Sequence, residues 1–128
     1  MIGIVVAMQG EFEHIVSSSL IKLQEVPSSK YKQYTGYFYR SKVIVIISGV
    51  GKVRAASATQ YLIDNYQPEK IINIGVCGAT KGLKPVTTIE KVIEDDYDTS
   101  IFDNGVTIWH IDREGVIVGD ISRDNYEV

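Results

Sequence analysis

Residues 43–79, VIVIISGVGKVRAASATQYLIDNYQPEKIINIGVCGA, constrain the fold of this chain more than any other stretch. Residues 43–47 are an unbroken β-branched apolar run, the pattern of a strand buried on both faces. Gly49 and Gly51 follow and let the backbone turn sharply or approach a ligand closely. Lys52 to Tyr66 is Ala-rich and carries Val53, Ala56, Leu62 and Ile63, so it is predicted helical, with Pro68 marking its end. Residues 71–74 read as a second buried strand, closed by Gly75 and Gly78. Two apolar strands joined by a helix of this length form a right-handed βαβ unit. Ligands in such sheets bind beyond the carboxyl ends of the strands, here residues 48–51 and 75–79.

Three familiar glycine motifs do not fit. A P-loop needs a glycine five residues before Gly51 and a hydroxyl residue after Lys52, where the chain has Ile46 and Val53. The dinucleotide fingerprint fails at its third glycine, which is Arg54. Cys77 is the only cysteine, and His14 and His110 have no metal-ligand partners at suitable spacing, so no redox motif and no metal is expected. From the glycines alone, a tight strand–helix turn without a ligand remains as good a reading as a binding loop.

The remaining chain extends the α/β pattern. Residues 2–8 form an initial buried strand, followed by a helix over about 10–20. Residues 23–26 read as a strand, and residues 31–47 as a β-hairpin turning near 40–42. A further strand is expected over 87–92, and a second hairpin from 106–111 and 116–118 around 112–115. The expected architecture is a single α/β domain over residues 1–128, a three-layer sandwich with a mixed, mainly parallel central sheet. Strands 2–7, 43–48 and 71–75 should be neighbours in its middle. At 45% hydrophobic and 23% charged, the composition is that of an ordinary globular protein. A net charge of −3 argues against nucleic acid as the main partner. The first apolar run lacks a basic flank and stops at Gln9, so neither a signal peptide nor a membrane span is expected, and the cytoplasm is the expected compartment.

Three blocks, GIVVAMQGEFE, YTGYFYRSKVIVIISGVGKVRAA and INIGVCGA, in this order and spacing, resemble the nucleoside phosphorylase/nucleosidase superfamily. Within it they look most like the N-terminal half of the 5′-methylthioadenosine/S-adenosylhomocysteine nucleosidases. The resemblance implies cleavage of the N-glycosidic bond of an adenine thionucleoside through an oxocarbenium-like state. Such a reaction needs an acid for the leaving purine, groups to hold the ribose and a nucleophile on the opposite face of the sugar. By similarity Glu11 holds the attacking water, although a glutamate there is also an ordinary first-turn residue favoured by the helix dipole. Met8 would lie near the 5′-substituent, or simply pack in the core. Val50 would contact the sugar side, and Val76, Cys77 and Gly78 would line the base and sugar pocket through their backbones. Tyr97 and Phe102 match a stretch that reaches toward the neighbouring subunit's site in dimeric relatives, which makes Phe102 a substrate-binding candidate. A homodimer is therefore expected, helped by the small residues Ala55, Ala56, Ser57 and Ala58. No cofactor is implied.

The departures weigh on activity. Val76 stands where the family has a small hydroxyl residue, and valine offers no hydrogen bond. The Met-Glu ribose clamp and the purine-side aspartate of the family have no counterpart. Asp95, Asp96, Asp98, Asp103 and His110 are substitutes in or beside a turn, where such residues usually face water. The chain alone is expected to be weakly active or inactive as a nucleosidase. The alternative is a non-catalytic module of the same fold that binds a nucleoside or self-associates.

Overall fold

The computed structural model describes residues 1–17, 21–28, 30–78, 86–89, 91–93, 108–110 and 115–118. The elements run β1 (Ile2–Val6), α1 (Gln9–Val16), β2 (Ile21–Val26), β3 (Lys32–Phe38), β4 (Ser41–Ile47), α2 (Lys52–Tyr66), β5 (Lys70–Ile74), β6 (Thr88–Ile89), β7 (Lys91–Ile93), β8 (Ile108–His110) and β9 (Gly115–Val118). Seven strands form one sheet in the order β2-β3-β4-β1-β5-β9-β6, and β7 pairs with β8 in a separate ribbon. β1 runs parallel to both β4 and β5, and β5 parallel to β9. Antiparallel pairing is confined to the flanks, β2-β3-β4 on one side and β9-β6 on the other. The three apolar strands are thus adjacent in the middle of a mixed sheet, as their sequences require.

The alternation of β1 creates the layers. Val5 packs with Ile44, Ile46, Ala58 and Leu62, so this face of the sheet meets α2. Its neighbours Ile4 and Val6 pack with Val45 and Phe12, so the opposite face meets α1. Successive strand side chains point to opposite faces, and a strand covered on both must be apolar throughout. Val6, Val45, Ile46 and Leu62 are completely buried, and each contributes on the order of 1.5–3 kcal/mol of burial. α2 ends as its sequence suggests. Gln67 takes the left-handed conformation (φ 46°, ψ 55°), its N–H donates to the Ile63 carbonyl at 3.1 Å, and Pro68 follows. Beyond the helix cover, Tyr66 Oη donates to the Oε1 of buried Gln33 at 3.0 Å, which ties the end of α2 to β3.

Two expectations about the later chain are corrected. The strand expected over 87–92 is two short strands in different sheets, β6 against β9 and β7 against β8. The expected hairpin of 106–111 with 116–118 does not form: β8 pairs with β7, while β9 joins the main sheet beside β5. The physical reason lies in the pattern of β9. Residues 116–118, Val-Ile-Val, form a continuous apolar run, which suits a parallel position in a covered sheet better than an exposed ribbon. The first helix is also shorter than expected, ending at Val16.

Candidate functional site

Three parallel strands end side by side, and their continuations build one mouth. β1 leads into Ala7 and Met8, β4 into residues 48–51, and β5 into residues 75–78. Such a convergence at the carboxyl edge is where open α/β sheets place ligands.

Glu11 links two of these three segments. It occupies the first turn of α1 and is only 8% exposed. Its Oε2 accepts hydrogen bonds from the Ala7 and Met8 backbone N–H groups, both at 3.0 Å. Its Oε1 accepts from the Val76 backbone N–H at 3.1 Å. One carboxylate therefore joins the β1–α1 turn to the turn after β5. A carboxylate is an acceptor with several lone-pair sites and suits a cluster of amide donors. Gly75 makes room for it, because a Cβ there would lie 3.2 Å from Glu11 Oε1.

The turn after β4 is held by its own residues and by the end of β1. The Ser48 N–H donates to the Val6 carbonyl at 2.8 Å, and the Ser48 hydroxyl reaches the Gly49 carbonyl at 2.8 Å and that of Val6 at 3.3 Å. Gly49 (φ 83°) and Gly51 (φ 113°) both lie in the region that favours glycine. Gly51 then caps α2, with its carbonyl accepting from the Ala55 N–H at 3.0 Å.

The rim of the mouth is apolar and open. Val50 is 65% exposed and Val76 73%, and Met8, Val53 and the free thiol of Cys77 are exposed as well. Gly78 is exposed with nothing within 4 Å of a built Cβ. Met8, Val50, Val76, Cys77 and Gly78 thus all fall on the three segments that form the mouth, and Glu11 reaches two of them from α1. The Val76 backbone N–H is occupied by Glu11 rather than turned to a ligand. Phe102, Tyr97, Asp95, Asp96, Asp98 and Asp103 lie outside the described residues, and His110 lies in β8, which pairs with β7. Sequence reasoning missed the Glu11–Val76 link and the buried Ser48. The glycine at 75 was the available signal for the first, since glycine at a strand end marks close approach by another group.

Among the described residues no helix is long and apolar enough to cross a membrane. A family model described as the phosphorylase superfamily matches residues 1–117. The 5′-methylthioadenosine/S-adenosylhomocysteine nucleosidase of Staphylococcus aureus (strain JH9) is 42% identical over 79 residues, which are 62% of this chain and 34% of that protein. Among solved structures, the S-adenosylhomocysteine nucleosidase of Streptococcus pyogenes in complex with 5-methylthiotubericidin is 32% identical with a TM-score of 0.69, covering 79% of this chain and 44% of its own. The 5′-methylthioadenosine/S-adenosylhomocysteine nucleosidase of S. pneumoniae, solved with a transition-state inhibitor, is 31% identical with a TM-score of 0.70, covering 80% and 45%. The chain therefore spans about a third of the length of the curated relative and under half of these solved chains. The family match over residues 1–117 takes in both helices, the parallel centre of the sheet and every turn of the mouth, and on that ground the chain belongs to the phosphorylase superfamily.

Proposed function

We propose that the mouth at the ends of β1, β4 and β5 is a nucleoside site of the nucleosidase type, whose lineage hydrolyses the N-glycosidic bond of adenine thionucleosides. The observation that carries this reading is the Glu11 carboxylate, buried and shared between two turns of the mouth. Held in this way it can orient a water molecule against a sugar placed over the mouth. Met8 and Val50 supply apolar contacts, and the backbone of residues 76–78 a wall for the base. The relatives whose names carry methylthioadenosine and S-adenosylhomocysteine support this substrate class.

In this reading Glu11 positions the nucleophile, and no residue here is assigned to protonate the leaving purine or to hold the ribose. General acid catalysis alone is worth about 10²–10⁴-fold. The chain by itself is accordingly a weak or inactive catalyst. The exposed valine at 76, where the family resemblance implies a hydroxyl, favours as second reading a nucleoside-binding or self-associating module without catalysis. A homodimer through the outer face of α2 and a cytoplasmic location belong to the same proposal; of the four small residues expected to help, Ala56 and Ser57 are exposed beside Val53 and Ile63, whereas Ala55 is half-buried and Ala58 packs in the core against the sheet.

The test is adenine release from methylthioadenosine by the full chain, alongside calorimetric titration with the same nucleoside. We expect release well below roughly 1 s⁻¹, a common enzymatic rate, and a Kd on the order of 1 mM. Release at or above that rate would show a competent acid in the chain. Binding that ignores Glu11→Ala would remove the site from this mouth.

A further inference from the structure

The turn after β4 carries a guanidinium on its surface. A Cβ built on Gly49 would lie 2.9 Å from both Cδ and Nη1 of Arg54 and 3.7 Å from its Cζ. The arginine thus lies in the space that a side chain at position 49 would fill. Both the end of its stem and one guanidinium nitrogen lie close over Gly49, in the turn that also carries exposed Val50 and Val53. Arg54 is exposed, and among the described residues no hydrogen bond or ion pair engages it. The first turn of α2 contains no acidic residue to neutralise it. The result is a planar donor fork close against Gly49, in a turn whose exposed residues also include Val50, Lys52 and Val53.

A guanidinium in this position recognises a carboxylate through paired N–H···O bonds. The two nucleosides in the relatives' names differ in this respect: S-adenosylhomocysteine ends in an amino-acid carboxylate, and methylthioadenosine in a methyl group. We infer that Arg54 is a specificity-determining residue that favours adenosine thioethers whose 5′-chain ends in a carboxylate. The inference rests on the nucleoside reading of the mouth and goes beyond it by naming which thionucleosides are preferred and by which side chain.

The experiment is a ligand-observed NMR titration of the full chain with S-adenosylhomocysteine, its decarboxylated analogue and methylthioadenosine. Wild-type protein should prefer the carboxylate ligand over the decarboxylated analogue by about tenfold. Arg54→Gln should erase that preference, and Arg54→Lys should restore only part of it, because an ammonium lacks the fork. Excess inorganic phosphate should displace the carboxylate ligand more readily than methylthioadenosine. Equal affinities in the wild type, or a preference that survives Arg54→Gln, would overturn the inference while leaving the nucleoside site standing. Phosphate binding at Arg54 tighter than that of the carboxylate ligand would reassign the residue to a free anion. Failure of all three nucleosides to bind would remove the nucleoside reading together with the inference.

Discussion

The turns after β4 and β5 flank β1 on its two sides and open on the same mouth, yet they are held by different means. Residues 48–51 are fixed from within and by the adjacent strand: Ser48 bonds to Val6 and Gly49, and two glycines supply the backbone angles. The described part of the turn after β5 has its side-chain anchor in Glu11, 65 residues earlier than Val76. The first turn needs its own glycines and the neighbouring strand β1, whose Val6 carbonyl accepts from the Ser48 N–H and hydroxyl. The second exists in its observed place only when the whole α/β core has brought α1 to the end of β5. The mouth therefore has one wall held by its own backbone angles and the adjacent strand, and one held by a buried carboxylate. That carboxylate is also the candidate for positioning a water molecule. Placement of the wall and the chemistry proposed for the mouth thus rest on a single side chain.

The largest predicted effect follows from removing that link. Glu11→Ala orphans the Ala7, Met8 and Val76 amides together. Hydrogen bonds to charged groups are worth about 1.5–3 kcal/mol each, and water entering the space recovers part, so a loss of about 3 kcal/mol is expected. Urea denaturation measures it. Amide exchange should speed at Val76 while the turn at 48–51 keeps its protection. Equal loosening of both turns would break the contrast between them.

Gly49→Ala should cost about 2 kcal/mol, since it forces a side chain to φ 83° and into Arg54. Here the disturbance should stay on the β4 side, with Val76 exchange unchanged. Gly75→Ala is milder. Its new Cβ meets Glu11 Oε1 at 3.2 Å, so the carboxylate must shift by a few tenths of an ångström, at about 1 kcal/mol. The sharper readout is nucleoside affinity, which should fall more than stability does. A variant that binds as well as wild type would separate Glu11's position from ligand recognition.

The smallest effect serves as a control remote from both turns. Burial, then the nearby Tyr61, raises the pKa of Tyr66 above its ordinary 10.0, against a smaller opposing effect of the Gln33 hydrogen bond. The folded state thus holds this proton more tightly than the unfolded chain. The associated stability is full below about pH 10 and is lost as pH rises through the folded pKa. Denaturation midpoints recorded across the alkaline range should decline less steeply for Tyr66→Phe, with amide exchange at both turns unaltered.

This contrast also explains what could be read in advance. The parallel centre of the sheet was legible because residues 2–6, 43–47 and 71–74 are apolar without interruption, and only a strand covered on both faces tolerates that. The glycine turn at 49 and 51 was legible because positive φ is a local demand. Pairing beyond Val86 was not, because short runs such as 88–89 and 108–110 carry no register of their own and take partners from the finished sheet. At the site, the expectation for Met8, Glu11, Val50, Val76, Cys77 and Gly78 came from the order and spacing of three blocks, and the structure gathers them near the ends of β1, β4 and β5. The Glu11–Val76 bond and the Arg54 shelf on Gly49 were not, because side-chain reach across 65 residues or along one helical turn leaves no periodic trace.

The central claim is that Glu11 organises a nucleoside mouth between these two turns. Its most direct test is an amide-resolved NMR titration of the full chain with methylthioadenosine. The account predicts saturable shifts at Ala7, Met8, Gly49, Val50, Val76 and Cys77, with a common Kd on the order of 1 mM that is lost in Glu11→Ala. Shifts confined to other surfaces, or a titration at these amides that Glu11→Ala leaves intact, would contradict it.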